Sequence, residues 1–316
     1  MKRIDLHCDT LIRVAQQDFK GDLAHNELQI DLNRLKESDA LIQFFAIFLS
    51  QKFDPDMEKV YGEFQRVIRF LKTQEEKYSN LFSVIHDEKD ISNLGDKVGA
   101  IITIEDGAMI NGKLDRVKEI YDQGVRLITL TWNYENTLGY PNSPDSNLMN
   151  KGLKPFGIEV IKKMNELGMI VDVSHLSDGG FWDVMKYTTK PVMASHSNSR
   201  ILTNHPRNMT DDMIKALSDN GGVMGLNFCP DFCGNTPEYT SVSDLVKHAL
   251  HIKEVGGIEV LALGSDYDGI YGVQEMKDCT QYDKLANGLS QAGFTDQEIE
   301  MVFYQNALRV IKANLK

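Results

Sequence analysis

Six side chains able to bind a divalent cation or move a proton stand at the ends of apolar runs in this sequence. They are His7 and Asp9 in RIDLHCD (3–9), Glu105 in AIITIED (100–106), His175 in MIVDVSH (169–175), His196 in PVMASH (191–196) and Asp266 in VLALGSD (260–266). Residues 169–200 are the most informative stretch. They read as a strand, a short helix (178–188) and a second strand, and both strands end on Ser-His. His175 and His196 are therefore expected at equivalent C-terminal ends of neighbouring parallel strands. A His-x-Asp pair on a strand puts His7 and Asp9 on one face, because the side-chain period is two. Imidazoles and carboxylates gathered at a barrel mouth are costly to desolvate unless paired or bound to metal. Three of each suit Zn2+ or a similar divalent ion. Five ligands plus solvent exceed one tetrahedral zinc and fit two ions roughly 3.5–4 Å apart, bridged by a carboxylate. Glu105 lies between the two ligand groups in barrel order and is the expected bridge.

The elements that must position these groups recur along the chain. IQFFAIFL (42–49), VRLITLTW (125–132) and GVMGLNF (222–228) join the five runs above to make eight strand candidates. Helical patterns at 56–78, 157–167, 211–219, 241–255 and 295–314 fall between and after them. Alternating strands and helices imply parallel pairing, and eight such units imply a (β/α)8 TIM barrel. We expect a single domain over 1–316 with its active site at the C-terminal ends of the strands. Gly124, Gly168 and the pair Gly221 and Gly222 stand where helices end and strands begin, as C′ glycines should. A doubly wound open sheet is the competing architecture, but no Gly-rich phosphate loop follows the first run. Long insertions follow the second strand, the fourth (133–155) and the seventh (229–240), and two of these are expected as lids over the active-site face. There is no internal repeat.

Composition narrows the class. The chain has 316 residues, 42% hydrophobic and 25% charged, with a formal net charge of −12. That balance argues against nucleic acid or an anionic membrane as partner, since both require Lys/Arg patches. No stretch of about 18 apolar residues is present for a membrane-spanning helix. The start MKRIDLHCDT lacks the apolar core of a secretory signal, so the mature chain is expected to begin at or near Met1. Four cysteines without a regular framework suit a reducing compartment. Cys229 and Cys233 are expected as free thiols.

A lone strand-end histidine is more often a hydrogen-bonded structural residue than a ligand. His25, His86, His205, His248 and His251 take that default, with His248 and His251 on the solvated face of helix 241–255. Asp5, read on the same face as His7, and Asp172 are expected as supporting or turn partners. Asp268 either supports a neighbour or holds the turn at Gly269.

Taken together, DLHCDT, TIEDG, VDVSH, PVMASHSNSR, HPRNMTDD, GSDYDG and FYQNALRVI resemble the zinc dipeptidases typified by membrane (renal) dipeptidase, within the amidohydrolase-like barrels. The similarity runs over nearly the whole chain. It implies a metallopeptidase with two Zn2+ per chain, one held by His7 and Asp9, the other by His175 and His196, bridged by Glu105 and a water or hydroxide. It implies that Arg207, in HPRNMTDD, grips the free carboxylate of a dipeptide, whose C-terminal residue could be D, and that Asp266 handles the proton. A planar guanidinium matches a carboxylate bidentately. The chain departs from the pattern at Trp132, where the family commonly has a histidine near the substrate carbonyl. Tryptophan has one N–H donor and carries no charge, which leaves oxyanion stabilisation to the metal or to a neighbour such as Asn133. The loop after the seventh strand offers Cys229 and Phe232 in place of the family's tyrosine. Two other functions stay open: the same binuclear barrel acting on a lactone, a β-lactam or another cyclic amide, and a barrel that binds metal or peptide without turnover. The animal membrane form carries a lipid anchor. This chain ends in RVIKANLK, with no signal and no hydrophobic tail, so a soluble cytoplasmic enzyme is expected, with a homodimer as one assembly open to it.

Overall fold

The computed structural model describes every residue except 17–20, 53, 235 and 237. Eleven strands are described: β1 (Arg3–Asp5), β2 (Ala40–Phe48), β3 (Phe82–Val84), β4 (Val98–Glu105), β5 (Val125–Thr129), β6 (Ile170–Asp172), β7 (Met193–Ala194), β8 (Val223–Leu226), β9 (Tyr239–Thr240), β10 (Leu261–Leu263) and β11 (Val273–Gln274). Eight of them, in the order β1-β2-β4-β5-β6-β7-β8-β10, pair in parallel and return to β1, closing a barrel. These eight correspond to the eight runs expected from sequence.

The ninth strand of that sheet was not expected. β3 pairs with Val98–Ala100 of β4, on the edge that β5 occupies further along from Ile102 to Glu105. It is three residues long with a serine in the middle, too short for an alternating pattern to stand out. β9 and β11 form a separate parallel pair in the loops after β8 and β10. The 133–155 insertion holds a short helix, Ser146–Met149. The 229–240 insertion holds another, Pro230–Cys233, and its residues 235 and 237 lie outside the described set.

Two apolar layers hold the barrel. Ile4, Leu6, Phe44, Ile101, Leu127 and Met193 cluster with Ala307, Val310 and Ile311 of the C-terminal helix Asn306–Asn314. That helix covers the N-terminal ends of the strands, where Asn314 donates to the Pro191 carbonyl at 2.9 Å. A second, larger cluster joins the other strand faces to the surrounding helices. Each aliphatic side chain so buried contributes roughly 1.5–3 kcal/mol. The helices follow from local sequence. In Asp211–Asp219, Thr210 caps the N-terminus by accepting the Met213 N–H, two aspartates occupy the first turn, and Met213, Ile214 and Leu217 form the buried stripe. No helix among the described residues is long and apolar enough to cross a membrane.

The strands stop earlier than the apolar runs suggest. β6 ends at Asp172, three residues before His175, and β10 at Leu263, three before Asp266. Both His175 (φ 65°) and Asp266 (φ 63°) adopt left-handed backbone, a conformation costly for residues with a Cβ and concentrated at functional sites. His175 and Asp266 therefore sit on the first turns beyond their strands. Low in this layer, a Cβ at Gly264 would lie 1.8 Å from the Ser195 carbonyl oxygen, so glycine there lets the segments after β7 and β10 approach closely beside Gly225 of the intervening β8.

Candidate metal centre

The six proposed site residues converge at the C-terminal mouth of the barrel. Glu105 is the last residue of β4, level in register with Thr129 and Asp172. Its two oxygens face different neighbours. Oε1 is 3.0 Å from His175 Nε2 and 3.7 Å from His196 Nε2, while Oε2 is 3.4 Å from His7 Nε2. His7 Nε2 is also 3.9 Å from Asp9 Oδ2 and 3.8 Å from Asp266 Oδ1. The Nε2 atoms of His175 and His196 are 3.0 Å apart. Ligand atoms of His7, Glu105 and His196 fall within 4.8 Å of one another, as do those of His7, Asp9 and Asp266.

His7 and Asp9 meet, but not through strand alternation. β1 ends at Asp5, and Asp9 already stands at the N-terminus of helix Thr10–Ala15, where it makes no side-chain cap. For the same reason Asp5 does not share the face of His7. Its Oδ1 accepts the N–H groups of His7 (3.2 Å) and Ser265 (2.9 Å), and its Oδ2 accepts the hydroxyl of Tyr282 from helix Tyr282–Gln291. Asp172 supports the other side of the mouth. Its Oδ1 accepts the N–H groups of Ser174 and Ser195 at 3.0 and 2.9 Å, and its Oδ2 accepts the hydroxyls of Thr129 and Ser195, both at 2.6 Å. Ser195 Oγ in turn lies 2.7 Å from His196 Nδ1. Asp268 accepts from the Thr10 hydroxyl and the Gln29 N–H, anchoring the loops beside Asp9.

Burial governs the protonation of this cluster. It lowers His196 well below the usual imidazole range and, with Arg207 nearby, brings His175 down to about 4. Both rings are thus neutral near pH 7, with lone pairs available to a cation. Burial acts the same way on His7, but the charge of Glu105 and the carboxylates of Asp9 and Asp266 outweigh it and hold His7 well above its ordinary value. For Glu105, burial is overcome by His7 and His175, and its carboxyl stays well below the usual range. Asp266 is pushed up to about 7, chiefly by burial, with His7 opposing and Asp9 and Glu105 adding to the rise.

The donor set suits a divalent ion. His7 Nδ1 and Nε2 and Asp9 Oδ1 are buried without a hydrogen-bond partner, which is a costly arrangement for groups with no further ligand. Gly269 keeps room beside the carboxylates: a Cβ there would lie 1.9 Å from Asp9 Oδ2 and 2.8 Å from Asp266 Oδ1. Nitrogen and oxygen donors of this kind match Zn2+ and related ions.

Arg207, 6% exposed, reaches the same mouth. Its Nη2 donates to the His196 carbonyl at 3.1 Å, whereas Nε and Nη1 are buried and unpartnered. Phe232 lies under the guanidinium at 5.3 Å, and His205, whose Nδ1 accepts the Arg207 N–H, packs on the same ring. Trp132 is half-buried, its ring 6.3 Å from that of His175 and 4.8 Å from that of Phe48, with the Lys52 ammonium 5.8 Å above it. Asn133 Oδ1 lies 3.1 Å from His175 Nδ1. The structure thus gives the side-chain oxygen of Asn133 to the His175 ring.

One histidine differs from expectation. His248 does not lie on a solvated helix face; it is 1% exposed. Its Nδ1 accepts the Ser199 N–H and its Nε2 is 3.0 Å from the Cys233 carbonyl, which braces the loop after His196. Desolvation by burial lowers its pKa to about 4, so it is neutral. His251 is half-exposed and pairs with Asp211 at 2.8 Å. Asn227, not singled out from sequence, is fully buried and donates to Asp266 Oδ2 at 2.9 Å. An asparagine after an apolar run reads as turn chemistry, and nothing in its spacing marks it. All four cysteines are free thiols.

The model of the family described as membrane dipeptidase (peptidase family M19) matches residues 1–316. An uncharacterized dipeptidase of Schizosaccharomyces pombe is 32% identical over 316 residues, covering 95% of this chain and 75% of the relative. Among solved structures, dipeptidase AC, a metallopeptidase of family M19, superposes with a TM-score of 0.90 at 23% identity, covering 100% of this chain and 99% of that one. A Rhodobacter sphaeroides metallopeptidase liganded with a phosphinate mimic of the dipeptide L-Ala-D-Ala gives 0.88 at 23% identity, covering 99% of both chains.

Proposed function

The chain belongs to the membrane dipeptidase family, peptidase family M19, and on that premise we propose that it hydrolyses dipeptides, including ones with a C-terminal D-residue, using two Zn2+ ions at the barrel mouth. His7 and Asp9 would hold one ion, His175 and His196 the other, with Glu105 between them. The separate facing of the two Glu105 oxygens supports that bridging role. Bound there, the ions would supply a water of lowered pKa and polarise the scissile carbonyl. The protein's own groups do the rest. Ser195 and Asn133 orient the rings of His196 and His175 through their Nδ1 atoms. Asp266, with a pKa near neutrality, takes the proton of the attacking water and returns it to the leaving nitrogen as the C–N bond breaks. Trp132 lies between Phe48 and the His175 ring, at 4.8 and 6.3 Å, as an apolar wall beside the site.

The observation that carries the choice of a dipeptide is Arg207. A buried guanidinium with two unpartnered nitrogens beside a cluster of metal-type ligands needs an anion. A free α-carboxylate one residue from the scissile bond is that anion; a lactone or a simple cyclic amide has none. Hydrolysis of a dipeptide panel and a lactone panel, with metal analysis on the same sample, tests the reading. Dipeptides should lead by kcat/KM, and their C-terminal amides should be poor substrates. Equal turnover of free and amidated dipeptides would sink the assignment of Arg207.

A further inference from the structure

We propose that Asn227 is a positioning residue for proton transfer, pinning one oxygen of Asp266 so that the other alone faces the ligand cluster. The inference rests on the reading of Asp266 as the proton-handling group. Asn227 lies one residue beyond β8, and its Nδ2 donates to Asp266 Oδ2 at 2.9 Å. Among the described residues this is the only hydrogen bond that the Asp266 carboxylate receives. The backbone of Asp266 is fixed separately: its N–H donates to the His7 carbonyl (3.1 Å) and its carbonyl accepts from Gly269 (3.2 Å). The carboxylate itself can still rotate about its last bond unless something holds it.

Asn227 is built to hold it. Its Oδ1 accepts the Cys229 N–H at 2.6 Å, so the amide has one admissible orientation. Flipped, it would set its NH2 against a backbone donor and its oxygen against a carboxylate. Its main chain is clasped by Asn198 in both directions, with Asn227 N donating to Asn198 Oδ1 (3.1 Å) and Asn198 Nδ2 donating to the Asn227 carbonyl (2.8 Å). The Cys233 thiol donates a second bond to that carbonyl at 2.7 Å. Asn227 Nδ2 also donates to the His196 carbonyl at 3.4 Å, which ties the carboxylate to the turn after β7 that carries a proposed ligand. Asp266 Oδ1 is left toward His7 Nε2 and toward the space kept open by Gly269. The two oxygens are thereby made unequal.

The test is a kinetic cycle. Asn227→Asp keeps shape and replaces the donor with an acceptor; Asn227→Ser removes the donor without adding charge. kcat and KM for a dipeptide, bound metal and melting temperature are measured for each, and Asn227→Ser is repeated in an Asp266→Asn background. We expect kcat to fall about 100-fold in Asn227→Asp and about 10-fold in Asn227→Ser, with KM, metal content and melting temperature nearly unchanged. In the Asp266→Asn background Asn227→Ser should cost less than about twofold more, because the group it positions is gone. An unchanged kcat in Asn227→Asp, or the same loss with and without Asp266, would overturn the proposal and leave the proton role of Asp266 standing. Full activity of Asp266→Asn alone would overturn that role and the proposal with it.

Discussion

Two corners of the barrel mouth are built on one plan and differ at one atom. At the β6–β7 corner, Asp172 Oδ1 gathers the N–H groups of Ser174 and Ser195; at the β10–β1 corner, Asp5 Oδ1 gathers those of His7 and Ser265. The second oxygen separates them. That of Asp172 takes the Ser195 hydroxyl, which continues to the His196 ring, whereas that of Asp5 takes Tyr282 from an outer helix. One corner fixes an imidazole through its far nitrogen. The other fixes only the backbone, and both ring nitrogens of His7 are left without a hydrogen bond. Rings held this way bind metals more tightly. The β6–β7 half is therefore preassembled by protein, and on the proposed two-ion reading the His7–Asp9 half would depend on its ion and on Glu105 for order.

Changing the residue shared by both corners should have the largest effect. Glu105→Gln weakens the bridge, and we expect kcat/KM to fall by at least about 10⁴ (~5.5 kcal/mol) with loss of bound metal in elemental analysis. Asp266→Asn comes next. kcat should drop about 10³-fold while metal content holds, which separates proton handling from ion binding. Arg207→Ala lies outside both corners. Losing a charge-assisted pair of hydrogen bonds should raise KM for a dipeptide about 100-fold with kcat little changed, and should leave a C-terminal amide substrate unaffected. The smallest effects address the comparison itself. Ser195→Ala should weaken metal binding about 10-fold or more in a chelator competition, because His196 loses its orienting partner. Tyr282→Phe should weaken it less than about threefold, since Asp5 touches no ring nitrogen. Equal losses in these two variants would erase the distinction drawn between the corners.

Much of this was legible in the sequence because barrel chemistry leaves a local mark. An apolar run that ends on His, Asp or Glu places that side chain at a mouth, and the eight runs map onto the eight barrel strands. What stayed hidden depends on contacts distant in sequence. β3 is a three-residue strand that gains definition only from the edge of β4. His248 sits at i, i−3 from a half-exposed histidine on an amphipathic helix, and only the loop around Ser199 buries it. The ends of β1, β6 and β10 were set too late because hydrophobicity says nothing about left-handed backbone at His175 or Asp266. Asn227 becomes functional only through a carboxylate 39 residues away.

The two-ion centre is tested by stepwise return of Zn2+ to the metal-stripped protein, with bound metal and dipeptide hydrolysis read on each sample. We expect a first equivalent that binds tightly with little activity and a second that brings hydrolysis to its full rate. Full hydrolysis with one equivalent bound, or in protein free of metal, would contradict it.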